Sequence, residues 1–379
     1  MSQNKPDVAR IELILVSMPF SASRRVVGDE SVDEYNASSQ SFTAMESLMV
    51  KVTDTDGRTG WGEAFGHRTN PASWAALEEI VGPYYLHRVA DPLTTRHDAE
   101  YAFHAFGRTG PVHFALSAMD TALWDLRAQR EDTPLRHLLS SSARDAVDCY
   151  ASLVHYAEDP VEVAHHIARA QAQGYSAFKL HESTPEAIAA ARRQAGPGAD
   201  LMTDVNCRWS EEEATIALEA LSSYELLWME EPVFPPDDRA ALTRLNQRFG
   251  NISAGENASG VAGLIDQMRS GALSCAQPSV GKIGGVSAML EVIEAGAELG
   301  VPVVPHCFYY GPALLASAQI TASLPTPTRL EVPFLQWPEA LHPLHGAGPE
   351  LRLGSAPGLG FEPDETMLQK HLIRQYVLE

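Results

Sequence analysis

Lysine is scarce in this chain of 379 residues. Only Lys5, Lys51, Lys179, Lys282 and Lys370 occur, and 28 Lys plus Arg stand against 49 Asp plus Glu for a formal charge of −21. That deficit argues against a nucleic-acid partner, because binding a polyphosphate rests on Lys and Arg neutralising its charges. Cysteine is also sparse: Cys149, Cys207, Cys275 and Cys307 lie far apart with no CxxC pair, which indicates neither a zinc ribbon nor a disulfide scaffold. A reducing compartment follows as the simpler setting. No run approaches the roughly 18 to 20 apolar residues needed to cross a bilayer. The opening MSQNKPDVARIELILVSMPF lacks the basic start and small-residue cleavage site of a signal peptide. The expectation is a soluble, cytoplasmic protein with no membrane partner. What is present is ordinary globular material, 45% hydrophobic and 20% charged with Gly and Pro dispersed, so a disordered chain is not expected.

The first part reads as a β meander: Arg10 to Met18, Ser47 to Thr55, a turn at Asp56-Gly57, and Thr59 to Ala64. Between the first two strands, Ser21 to Thr43 is polar and aperiodic, and so long a structureless insertion is more often functional than idle. From Ala75 to Leu139 the period is helical, clearest where Leu116, Met119, Ala122, Leu123 and Leu126 share one face. An α+β domain over residues 1–140 is expected. Beyond it the pattern alternates. Strands are expected at Asp148 to Leu153, Ala177 to His181, Leu201 to Val205, Leu226 to Glu230, Ile252 to Gly255, Cys275 to Pro278 and Val301 to Pro305, with helical segments between them. Repeated βα units mean a parallel sheet, and about seven in succession favour a closed (β/α) barrel over 141–360. In such a barrel chemistry sits at the C-terminal strand ends.

Those ends carry Lys179 and His181, Asp204 and Asn206, Glu230 and Glu231, Glu256 and Asn257, Ser279 and Lys282, His306, and Glu331. Asp204, Glu230 and Glu256 recur every 26 residues, one βα unit each, and so project side by side into the barrel mouth. Three converging carboxylates repel one another unless a cation joins them, and an oxygen-only set selects a hard ion such as Mg²⁺. Lys179 ends an apolar run, where a lysine costs desolvation unless it faces an anion or a cavity. His181 falls on the same strand face, and His306 arrives from across the mouth. His155 and His371, lacking such context, read as ordinary core or surface histidines.

Taken in order, Lys-x-His (179–181), Asp-x-Asn (204–206), Trp-x-Glu-Glu-Pro (228–232), Gly-Glu-Asn (255–257), Lys-x-Gly-Gly (282–285) and Pro-His (305–306) resemble the mandelate racemase branch of the enolase superfamily across nearly the whole chain. The resemblance implies a modified barrel beneath an N-terminal capping domain, a tail from Phe361 (361–379) returning to that domain, and commonly a homo-oligomer. It implies a Mg²⁺ enzyme that removes the proton α to a carboxylate and stabilises an enediolate. Asp204, Glu230 and Glu256 match the metal ligands, and Lys179 the lysine that binds the substrate carboxylate. His181 stands where the family usually has a second lysine as base; with a reference pKa near 6.5 an imidazole needs little depression for that task. His306 matches the base or acid of the opposite face. Ser279 stands where an aspartate usually orients that histidine, and it is read as meeting the ring or the substrate. Asn206 matches a substrate- or ligand-orienting asparagine and is read as substrate-binding. Glu331 matches an acid that, when protonated, hydrogen-bonds the developing oxyanion. The segment 21–43 matches the loop that closes over the substrate and reads its distal end, with Arg24 and Arg25 read as substrate-binding residues for a second carboxylate or hydroxyls, solvated surface charge being the other reading.

The expected reaction is dehydration of an acid sugar to a 2-keto-3-deoxy acid, on a small-molecule carboxylate substrate. Racemisation or epimerisation of a 2-hydroxy acid and sugar-lactone cycloisomerisation on the same residues stay open. A metal-dependent hydrolase and a non-catalytic barrel are the readings of a different class.

Overall fold

The computed structural model describes residues 5–24, 43–346 and 348–379. Arg25 and most of the 21–43 segment therefore lie outside the described residues. An antiparallel sheet forms the N-terminal part, from β1 (Val8–Pro19), β2 (Ala44–Asp54) and β3 (Thr59–Ala64). The β2–β3 hairpin turns at Asp54, whose Oδ1 accepts the N–H groups of Asp56 and Arg58 at 3.0 and 2.9 Å, with Gly57 at φ +83°. Helix Pro111–Arg130 lies across this sheet, and every apolar position picked out by its period is buried. The approach is close because β3 has glycines there. A Cβ on Gly60 or Gly62 would lie 2.3 Å from the carbonyl oxygen of Ala122 or 1.9 Å from that of Ala118.

The second sheet is parallel and curls around one axis. Its strands are β4 (Ala146–Ser152), β5 (Ala177–Leu180), β6 (Asp200–Asp204), β7 (Met229–Glu230), β8 (Ile252–Ala254), β9 (Cys275–Ala276) and β10 (Leu330–Pro333), paired in the order β10-β4-β5-β6-β7-β8-β9. The intervening helices begin where polar side chains cap free N–H groups: Asp159 for Val161, Thr184 for Ala187, Asp238 for Ala241, and a reciprocal Ser210–Glu213 capping box. The expected strand Val301 to Pro305 is reduced to single bridges, Ala276 with Val303 and Ser279 with His306. Pro302 and Pro305 lack the N–H a continuous ladder needs. The segment still runs in place, since Val304 and His306 donate their N–H groups to Ala276 and Pro278 at 2.9 and 3.0 Å. The expected strand Leu226 to Glu230 likewise shortens to its last two residues.

Two later segments were not read as strands in the sequence, although the return of the 361–379 tail to the N-terminal domain was expected. β11 (Glu350–Arg352) pairs antiparallel with the start of β4, and β12 (Leu372–Leu378) adds to the outer edge of β1. The two sheets are joined by buried acids. Glu63 of β3 accepts the N–H of Ala313 at 2.9 Å, and Asp120 accepts both the N–H and Oγ–H of Ser287 at 2.8 and 2.7 Å. Each acid thus serves the first turn of a barrel helix, Pro312–Ser323 or Gly285–Leu299. No helix among the described residues is long and apolar enough to cross a membrane.

Candidate active site

Strand alternation builds the barrel interior in layers. Tyr150, Ala177, Met202, Trp228, Cys275 and Val304 form one buried apolar cluster. Two residues further along each strand, on the same face, come Ser152, Lys179, Asp204, Glu230, Gln277 and His306. A polar layer therefore rests on an apolar floor. Glu331 joins it from β10, in register with Tyr150.

Lys179 is 1% exposed and sits at the centre of the acids. Its Nζ is 2.7 Å from Glu331 Oε1, 3.2 Å from Glu230 Oε1 and 3.6 Å from Asp204 Oδ2. Burial alone would lower its pKa, but Glu230 and Glu331 outweigh burial and hold the ammonium charged. Glu230 also accepts the Trp228 indole N–H at 3.2 Å and the Gln277 amide at 2.9 Å, so its carboxylate is oriented from three sides. Asp204 Oδ1 accepts the backbone and side-chain N–H groups of Asn206 at 2.8 and 3.0 Å. Asn206 thus holds an acid in place. Glu256 Oε1 takes Asn257 Nδ2 at 3.0 Å and faces Lys282 Nζ at 3.4 Å. Past these strand ends Asn206, Cys207 and Glu231 all have φ between +46° and +58°, a conformation that costs energy in non-glycine residues and clusters at functional sites.

The histidines flank this layer from two sides. His181 Nδ1 lies 2.5 Å from the carbonyl oxygen of Leu153 and must donate to it, which leaves the Nε2 lone pair facing the mouth, 3.7 Å from Asp204 Oδ2. Burial, then Lys179, lowers its pKa to about 4, so the ring stands neutral. His306 Nε2 is 2.5 Å from Glu256 Oε2 and 4.0 Å from Glu331 Oε2. Burial opposes its charge, yet Glu256 and Glu331 raise its pKa to about 9. Its Nδ1 is buried with no hydrogen-bond partner among the described residues.

Two sequence expectations are corrected here. Ser279 does not meet the His306 ring or stand open to the mouth; it is fully buried and its Oγ is 2.6 Å from the hydroxyl of Tyr309. Tyr309 follows His306 by three residues and takes the hydroxyl first. Glu331 is not a protonated acid: burial would raise its pKa, but Lys179 and His306 overcome that and lower it to about 2. Its Oε2 accepts the N–H of Cys307 at 2.8 Å. Arg24 reaches the carbonyl oxygen of His155 at 2.7 Å. Gln277 was not among the expected residues, although the alternation that selects Glu230 and His306 selects it too.

The acids suit a hard cation by chemistry. Burial pushes Asp204 up to about 7 and Glu230 to about 8, with neighbouring acids adding to the rise, so their charge is under-compensated. Asp204 and Glu230 are paired in register at adjacent strand ends, and Glu256 lies just past β8. As the side chains stand, no group of three or more His, Cys, Asp or Glu among the described residues is arranged to hold a metal. Lys179 sits between Asp204 and Glu230, and His306 holds Glu256. The donor types, three carboxylates, fit Mg²⁺.

A parallel barrel with acids and bases at its C-terminal strand ends, closed by an antiparallel sheet from the same chain, defines an enolase-type barrel enzyme architecture. Residues 162–367 match the enolase C-terminal domain-like family and residues 26–140 the mandelate racemase / muconate lactonizing enzyme N-terminal domain. The chain belongs to the mandelate racemase/muconate lactonizing enzyme family of the enolase superfamily.

Its relatives carry more than one reaction. The chain is 27% identical to a D-galactarolactone cycloisomerase of Agrobacterium fabrum, covering 88% of this chain and 93% of that one. It is 28% identical to a D-gluconate dehydratase of Thermoproteus tenax, covering 90% and 73%. It is 26% identical to an L-talarate/galactarate dehydratase of Salmonella typhimurium, covering 94% and 89%. A racemase from Streptomyces coelicolor with bound magnesium superposes with a TM-score of 0.83 at 23% identity, covering 97% of this chain and all of that one.

Proposed function

We propose that this protein is a Mg²⁺-dependent dehydratase of acid sugars. Asp204, Glu230 and Glu256 would hold the ion, with Asn206 and Asn257 fixing two of the carboxylates. When bound, the ion supplies charge stabilisation for the enediolate and a fixed point for the substrate carboxylate. Lys179, held by Glu331, binds that carboxylate from the floor of the mouth. His181 takes the C2 proton at Nε2, because its Nδ1 is tied to Leu153. His306, on the far side, gives a proton to the departing C3 hydroxyl, and the enol that remains becomes a 2-keto-3-deoxy acid.

The observation that carries dehydration is the contrast of the two histidines, His181 held neutral and His306 held protonated by Glu256 and Glu331 across the mouth. A carboxylate on Nδ1 stabilises an imidazolium and makes the ring a better base. The Ser279 hydroxyl is turned to Tyr309, so no described group holds Nδ1, while on the other side Glu256 and Glu331 keep the ring protonated, the state that an acid for the C3 hydroxyl needs. The dehydratases among the relatives support the class, and the D-galactarolactone cycloisomerase keeps cycloisomerisation as the alternative. The test is incubation in D₂O with Mg²⁺ and a stereoisomeric panel of acid sugars, hydroxy acids and lactones. A 2-keto acid that reacts with semicarbazide is the expected product. His306→Asn should lose that product while keeping deuterium exchange at C2; loss of both would make His306 the base and overturn the assignment.

A further inference from the structure

The loop that leaves β4 is tied down more tightly than a connection requires. Leu153 donates its N–H to the carbonyl of Lys179 at 2.9 Å, and Tyr156 donates to Glu182 Oε1 at 2.5 Å. The Glu158 carboxylate accepts the N–H groups of Ser183 and Thr184 at 2.9 and 3.0 Å, and both hydroxyls at 2.7 and 3.0 Å. Ala157 and Glu158 are held at φ +56° and +58°, a strained turn sustained by those bonds. From the capping side, Arg24 fixes the carbonyl of His155. The backbone of His155 is thereby pinned beside His181, whose own ring bonds Leu153 two residues earlier.

The ring itself is only loosely held, by an ion pair with Glu158 that, against burial, helps to lower the Glu158 pKa to about 2. The His155 side chain is 13% exposed, yet neither nitrogen has a hydrogen-bond partner among the described residues, and Glu158 Oε1 stands 3.8 Å from Nε2. Side-chain polar atoms this enclosed are as a rule paired, with protein, water or ligand. We infer that His155 is a specificity residue of the mouth, hydrogen-bonding the hydroxylated end of the substrate, and that the substrate is a polyhydroxy monocarboxylate and not a dicarboxylate; this rests on the acid-sugar reading above. An imidazole donates from one nitrogen and accepts at the other, which matches a hydroxyl, whereas a carboxylate only accepts. The charges of that corner point the same way. Glu158 and Glu182 border the ring, Arg208 is engaged with Glu158 and Ser183 at 3.5 and 3.2 Å, and Arg24 is engaged with the His155 carbonyl. A second carboxylate would enter against Glu158 with both guanidiniums already committed.

The test is calorimetric titration of the full-length protein with Mg²⁺, using the six-carbon aldonates including D-gluconate, then galactarate and the three-carbon acid lactate. In the wild type one aldonate should bind more tightly than galactarate. His155→Leu should weaken that aldonate about tenfold or more and leave lactate within about twofold, and His155→Gln, which keeps a donor and an acceptor, should recover part of the loss. An unchanged aldonate affinity in His155→Leu, with C2 exchange intact in the wild type, overturns the role of His155 and leaves the dehydratase reading standing. Preference for galactarate overturns the monocarboxylate assignment. A wild type that binds no acid sugar and exchanges no C2 proton removes the dehydratase reading and the role of His155 together.

Discussion

His181 Nδ1 donates to the carbonyl oxygen of Leu153 across 2.5 Å, joining the ends of β5 and β4. A backbone carbonyl can only accept, so this one contact fixes the tautomer and leaves a lone pair on Nε2. The ring is thus oriented by main chain that no side-chain substitution removes. His181→Asn should lose C2 deuterium exchange by about two orders of magnitude or more, the usual contribution of a positioned general base. Mg²⁺ affinity, read by calorimetry, should change little, since the ring is not among the proposed ligands. Retention of exchange in His181→Asn would move the base to another group.

A second prediction concerns the cation. Burial pushes Asp204 up to about 7, and Glu231 and Glu256 add to the rise while Lys179 opposes it. In chelator-treated protein at neutral pH, Asp204→Asn removes an acid that burial disfavours, and it should melt no lower than the wild type. With Mg²⁺ the order should reverse. A ligand at about a hundred times its Kd stabilises by about 2.7 kcal/mol, which shows as a rise in Tm that Asp204→Asn should lack. Equal Mg²⁺-dependent rises in both proteins would place the ion elsewhere.

The residues of this site were readable because alternation and βα spacing are local rules. Asp204, Glu230 and Glu256 share an interval, and Lys179 and His181 share a strand face, before any contact is known. Partnerships were not readable. Ser279 pairs with Tyr309, 30 residues on, and no spacing rule foretells which of two neighbours its hydroxyl chooses. The charge state of Glu331 depends on Lys179 arriving from a strand 152 positions earlier in the chain. Val301 to Pro305 failed as a strand for a reason visible in its letters, since Pro302 and Pro305 interrupt the donors while apolar content argues for strand. β12 pairs with β1 although some 360 residues separate them, and its half-exposed edge position gives weak periodicity to read as a strand.

The last prediction concerns stability. Glu63 is 3% exposed on β3, where Ser47 Oγ–H donates to Oε1 at 2.5 Å and the Ala313 N–H to Oε2 at 2.9 Å. The N–H at a helix start favours a carboxylate. Burial outweighs it and pushes the acid from 4.5 up to about 7. The folded chain therefore keeps a proton that the unfolded chain releases between those values. Its stabilising effect is full below pH 4.5 and is lost as pH rises through about 7. One such proton changes stability by at most about 1.4 kcal/mol per pH unit. Glu63→Gln carries no titrating proton and keeps the acceptor for Ala313. Urea unfolding between about pH 5 and 6.5 should give a wild type that weakens with rising pH and a variant whose slope is shallower by up to that amount. Asp120 and Asp125 are pushed up to about 7 by burial as well, so the variant should retain part of the slope. Parallel lines for the two proteins would show that Glu63 holds its charge in the fold, with the helix terminus, and not burial, deciding its state.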